Sequence, residues 1–146
     1  MNNYRLRTLI FVTCIIFFTT VKAQKNLDWQ PVTLNVHDGT NAVSGIQAYC
    51  ALATCSGSPR LLIKLINSNP YTIRAGWKDA VLINNNDERH FGSKAQDSVT
   101  IGAKSEITGD CSGTNPQLVL DLSDFGANTE NFTELLTPDF DFVKIP

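Results

Sequence analysis

From Tyr71 to Lys78 the chain alternates without a break. Tyr71, Ile73, Ala75 and Trp77 fall on one side of an extended backbone, and Thr72, Arg74, Gly76 and Lys78 on the other. A period of two predicts a strand with one buried and one wet face, the pattern of an antiparallel sheet covered on one side. The same period recurs along the chain. In LLIKLI, Leu61, Ile63 and Leu65 share a face, while Lys64 points the other way between Leu62 and Ile66. In GIQAYCALATC, Ile46, Ala48, Cys50 and Leu52 lie opposite Tyr49 and Ala51. VTLNV (Val32 to Val36), AVLIN, SVTI and EITGDC add short strands, and QLVLDL sets Leu118, Leu120 and Leu122 on one face. The DFDFVKI tail holds Phe140 and Phe142 in one phase and Val143 and Ile145 in the other, which implies a bulge or burial on both sides. Only NTENFTELL, with Phe132, Leu135 and Leu136 at helical spacing, predicts a helical turn or two.

The runs are separated by turn residues. Asn67-Ser68-Asn69-Pro70 reads as the turn that lets its two flanking strands pair, because asparagine accepts positive φ and proline cannot donate to a ladder. His37-Asp38-Gly39 and Ser56-Gly57-Ser58-Pro59 break strands in the same way, and NNNDERHFGSKAQ reads as a long polar loop. Many short strands between such turns predict an all-β, antiparallel sandwich or barrel of about seven to nine short strands.

The amino terminus predicts a compartment. Arg5 and Arg7 precede an apolar run from Leu9 to Phe18, and Val21-Lys22-Ala23 places small residues before a cut, in the order of a secretory signal peptide. The run is shorter than the roughly 18 residues of a spanning helix. Residues 1–23 are therefore expected to leave, and 24–146 to form a single domain without a transmembrane segment. Cys14 lies inside the apolar run behind bulky residues, which argues against a lipid-modified terminus. Nine basic residues face 14 acidic ones in the processed chain, with no basic cluster, so nucleic acid is not an expected partner.

The order of a Cys before a turn, then LLIKLINSNPYTIRAGW, then strand pairs with IGAKSEITGDC resembles the small secreted immunoglobulin-like β-sandwich proteins of Gram-negative bacteria, many without assigned function. The matching residues are Leu65-Ile66-Asn67-Ser68-Asn69, Trp77 and Gly109-Asp110-Cys111, within a similarity from Val43 to Leu122. These motifs are structural. The resemblance implies a fold, with Trp77 closing the second core strand, and lends no activity. Trp77 departs from antibody-type domains in its distance from the first Cys.

Cys50, Cys55 and Cys111 allow three pairings in an oxidising compartment. Cys55 and Cys111 each end a strand beside a Ser-Gly pair and are favoured as the disulfide, leaving Cys50 a buried thiol; Cys50 with Cys55 is the rival. Three cysteines with His37 or His90 fit no standard zinc spacing, so no metal and no cofactor is expected.

Nucleophilic chemistry needs a base, and the chain offers only His37, at a turn, and His90, in the charged loop. G-x-S-x-G and phosphate-cradling glycine loops are absent; of the carboxylate pairs Asp139 with Asp141 and Asp121 with Asp124, the first alternates with Phe140 and Phe142 and is expected to face water. NNNDERHFG fails as a calcium loop, because Arg89 takes the fifth ligand place. No catalytic residue is assigned and a small hydrolase is the remote alternative. The favoured reading is a non-catalytic secreted or periplasmic binding or adaptor module of the envelope, with a protein or glycan partner. The loop from Asn84 to Gln96 with His90 and Phe91 is its candidate recognition surface. The other reading is an accessory envelope protein that pairs through a sheet edge. Asn131-Phe132-Thr133 matches a glycosylation acceptor, expected to stay bare in a bacterial host.

Overall fold

The computed structural model describes residues 26–34, 42–94 and 96–146. The expected signal peptide, Cys14, the His37-Asp38-Gly39 turn and the end of VTLNV lie outside these residues. Strands β1 (Gln30–Pro31) and β2 (Ala42–Val43) precede the long pair β3 (Ile46–Cys55) and β4 (Ser58–Asn67). There follow β5 (Ile73–Trp77), β6 (Ala80–Ile83), β7 (Arg89–Phe91), β8 (Asp97–Ile101) and β9 (Ser105–Thr108). β10 (Val119–Asp121) lies between two 3₁₀ turns, Pro116–Leu118 and Leu122–Phe125; β11 (Phe132–Leu136) and β12 (Asp141–Lys144) come last. The fold is all-β, as the periodicity predicts. Its described strands exceed the expected number because β1, β2, β7 and β10 are only two or three residues long.

The strands form a six-stranded sheet and two three-stranded ones. The first runs β1-β3-β4-β10, with β2 added on β3 and β9 on β4; the others are β11-β6-β7 and β12-β5-β8. Every ladder is antiparallel. The inward faces meet in one core. Ile46, Ala48, Cys50, Leu61, Ile63 and Leu65 of the large sheet pack with Ile73, Ala75, Trp77, Val99 and Ile101 of one small sheet and Val81, Ile83 and Leu135 of the other. The hairpin β3–β4 turns on Ser56 and Gly57, with φ of 52° and 85°. Positive φ at both central residues is the twist that matches paired strands.

Two expectations are corrected. Phe132, Leu135 and Leu136 belong to strand β11, not to a helical turn. Its ladder with β6 shifts register between Phe132 and Glu134, so an extra residue mimics helical spacing. The Asn67–Pro70 knot joins strands that do not pair with each other. β4 pairs with β3, β9 and β10, whereas β5 pairs with β8 and β12, so the knot carries the chain from one sheet to another. Two smaller differences concern exposure and loop structure. Leu52 leaves the buried face of β3 beyond the end of short β1 and is largely exposed. The long polar loop contains β7, paired to β6.

The knot is held by a buried asparagine. Asn67 is fully buried, and its Nδ2 donates to the carbonyls of Tyr71 (2.9 Å) and Gly102 (2.8 Å). Its Oδ1 accepts from the Asn69 amide at 3.0 Å. Neighbouring backbone completes the corner: the Ser68 amide donates to the Gly45 carbonyl and that of Lys104 to the Asn69 carbonyl, each at 2.9 Å. The side chain thus ties the end of β4 to the entry of β5 and to the β8–β9 turn. Asn67→Ala strands these carbonyls and should cost about 2–3 kcal/mol. Ser68→Ala, exposed and without a side-chain bond among those described, should cost under about 0.5 kcal/mol. Urea unfolding of the two variants checks the contrast; equal small losses would remove the corner role.

Candidate binding cleft

The Cys55–Cys111 disulfide is formed, with its Cα atoms 5.2 Å apart. It ties the tip of the β3–β4 hairpin to the loop after β9. Beside it opens a cleft of about 380 Å³, at the lower end of the usual range for small-ligand pockets. One wall comes from the β10 region: Leu120, Asp121, Asp124 and Phe125. Arg60 of β4 forms an ion pair with Asp121 across that wall. Gly92, Ser93, Lys94 and Gln96, the described end of the long polar loop, also line the cleft. A Cβ at Gly92 would lie 2.8 Å from the Phe125 ring, which would then have to shift.

Asp79 and Asp97 also line the cleft, and both are buried. Asp79 sits at the β5–β6 corner and accepts from Trp77 Nε1 at 3.0 Å. Asp97 opens β8 directly opposite Trp77 in the ladder. Both carboxyl groups stand at the Trp77 end of β5, and the charge of Asp97 acts on Asp79. Among the described residues Asp97 Oδ2 receives no hydrogen bond; Lys94 Nζ lies 3.6 Å away, on a side chain 53 % exposed. Two carboxylates cannot hydrogen-bond to each other unless one keeps its proton. Burial first, and then the neighbouring charge of Asp97, push the Asp79 carboxyl up from 3.8 to about 8, while the Trp77 bond and Lys94 pull the other way.

The sign of the resulting pH dependence follows. Between 3.8 and about 8 the folded chain keeps a proton on Asp79 that the unfolded chain has released. Stability from this group is full below that window and falls as pH rises through it, by up to about 1.4 kcal/mol per pH unit. Asp79→Asn should abolish this slope. From pH 6 to pH 8 the unmodified protein should lose about 2 kcal/mol more than the variant in denaturant titrations; parallel losses would mean that the pair holds no proton.

His90 and Phe91, the residues singled out in the sequence, stand on β7 outside the cleft lining. His90 is half-buried opposite Val81, and Phe91 is 46 % exposed with Lys78 Nζ 4.5 Å above its ring. Their loop reaches the cleft through the residues that follow them. Asp121 and Asp124 line the cleft, and Asp139 and Asp141 are exposed. Asp79 and Asp97 escaped the sequence reading. Their one signal is a carboxylate within an apolar stretch, as at Asp79 between Trp77 and Ala80-Val81-Leu82-Ile83.

Cys50 is free and buried beside a second cavity of about 430 Å³ between β3 and β11. Burial, and then Glu134, push its thiol up to about 12, so it stays protonated and packs as an apolar group. A thiol reagent should leave the native protein untouched and find one thiol in a chain processed after Ala23 once denatured without reductant. Rapid native reaction would contradict the buried placement.

Among the described residues no group of three His, Cys, Asp or Glu side chains is arranged to hold a metal, and no helix is long and apolar enough to cross a membrane. Compared with protein-family models, with curated proteins and with solved structures, the chain matches none.

Proposed function

We propose that the protein is a secreted or periplasmic, non-catalytic binding module of immunoglobulin-like type that recognises its partner through the cleft beside the disulfide. The observation that carries this reading is the cleft itself, lined by a buried carboxyl pair and braced by the Cys55–Cys111 crosslink. Loops fixed on a rigid β scaffold are common carriers of recognition. Secretion is supported by the disulfide, which persists in oxidising compartments, and by the order of charge, apolar run and small residues before Gln24. A binding role rather than a catalytic one is supported by the described lining of the cleft, in which no histidine stands by Ser56 or Ser93.

The test is paired capture from envelope extract with protein beginning at Gln24. Ser93→Trp places a bulky ring at the cleft and should abolish capture. The edge-pairing reading has its own support in Val143, 60 % exposed on β12, which among the described strands pairs with β5 alone. Capture that survives Ser93→Trp and is lost on Val143→Lys would transfer the role to that edge.

A further inference from the structure

The charge of the cleft bears on what it takes. Asp79, Asp97, Asp110, Asp121 and Asp124 line it, against Arg60 and Lys94. Arg60 is already engaged by Asp121. Lys94 Nζ lies 3.6 Å from Asp97, beyond hydrogen-bond length, with its side chain half in water. A half-exposed lysine held beyond hydrogen-bond length can give way to a cation that brings its own donors. Beneath it, Asp97 is 9 % exposed and, among the described residues, Oδ2 has no hydrogen-bond donor. Buried carboxylate oxygens are ordinarily satisfied, and one left without a donor on a cleft wall marks an unfilled acceptor.

We propose that the cleft takes a cationic group, an ammonium or guanidinium, which docks on the Asp79–Asp97 pair in place of the Lys94 ammonium. This inference rests on the cleft being the recognition site. The incoming group donates hydrogen bonds to Asp97 Oδ2, and Lys94 swings into solvent. Its charge also favours the ionised pair, so the proton held on Asp79 leaves to buffer as the cation binds. The other charges around the pair are Lys94 on its own loop, the Arg60–Asp121 ion pair, Asp110 and Asp124 of the lining, and Asp141 of β12 beside Gly76. None of them supplies a donor to Asp97 Oδ2. A cleft of about 380 Å³ suits one basic side chain of a protein partner or a small free amine.

The experiment is calorimetric titration of the full processed chain at pH 7 with three probes: acetyl-Gly-Lys-Gly amide, the matching Gln peptide, and 1,4-diaminobutane. Expected is binding of the Lys peptide at least tenfold tighter than the Gln peptide, weakening with salt. Repeating it in buffers of different ionisation enthalpy should show net proton release. The diamine arm separates a free amine from a peptide side chain as the source of the charge. Lys94→Ala, an exposed change that does not threaten folding, should tighten binding about threefold or more by removing the internal competitor. Asp97→Asn should weaken it about tenfold or more. The Trp77 indole N–H resonance, on the proton bonded to Asp79, reports in each variant whether the pair is intact and occupied. Equal affinity for the Lys and Gln peptides, or weaker binding in Lys94→Ala, overturns the proposal. If neither cation binds while Ser93→Trp still abolishes capture, the ligand class is wrong and the recognition site stands.

Discussion

Replacing Trp77 by alanine should lower folding stability by about 3–5 kcal/mol, the range for large core aromatics. Trp77 is 1 % exposed and belongs to the cluster in which all three sheets meet. The loss has two parts. One is the cavity left among packed neighbours; the other is the Nε1–H donor, whose removal strands a buried oxygen of Asp79. Trp77→Phe separates them, because it keeps most of the ring volume and loses the donor. It should cost less than alanine and should sharpen the fall of stability with rising pH, since ionised Asp79 then has one donor fewer. Denaturant unfolding gives the energies. Fluorescence in a Trp29→Phe background gives the placement: blue-shifted emission, poorly quenched by iodide, is expected. Red-shifted, readily quenched emission would reverse the faces of β5.

Removing the disulfide should cost a similar amount. Cys55 and Cys111 are 56 residues apart, and in the chain-entropy model a loop of that length contributes roughly 4 kcal/mol by restricting the unfolded chain. The Cys55→Ser, Cys111→Ser double variant should therefore unfold at clearly lower denaturant. Peptide mapping without reductant should recover only the Cys55–Cys111 link. The rival Cys50–Cys55 link is barred by geometry. Both residues lie on β3, five apart, so their side chains point to opposite faces at a separation of roughly 16 Å along the strand. Recovery of that peptide, or of three free thiols, would contradict this structure.

How much of this was legible depends on whether the information is local. Alternation is local, and it located β3, β4, β5 and β8 and named the buried faces of β4 and β5, and that of β3 as far as Cys50. The end of a strand is local too, and it brought Cys55 to Cys111. Pairing partners are not. The matched alternation flanking Asn67–Pro70 is compatible with a hairpin and equally with a crossing between sheets. What decides is the burial of Asn67 against Gly102, a residue 35 positions away. The bulge in β11 hid a strand beneath helical spacing. His90 and Phe91 drew notice as the imidazole and the aromatic of a polar loop, yet the loop presents their successors to the cleft. Asp97 carries no mark of burial in the sequence, and Asp79 only the apolar run that follows it, because their environment is built by strands far along the chain.

The crossing at Asn67 also sets an order of assembly. β3 and β4 find each other across two residues, but β5, next in the chain, has no neighbour that is near in sequence. One of its flanks waits for β8 and the other for β12, where Asp141 meets Gly76. Such long-range pairing slows folding, since the loop must close before the contacts reward it. During synthesis the β5 edge facing β12 stays bare until the last strand emerges. A nascent chain therefore exposes an alternating apolar ribbon, open to pairing with another copy, for longer than any other part of the sandwich.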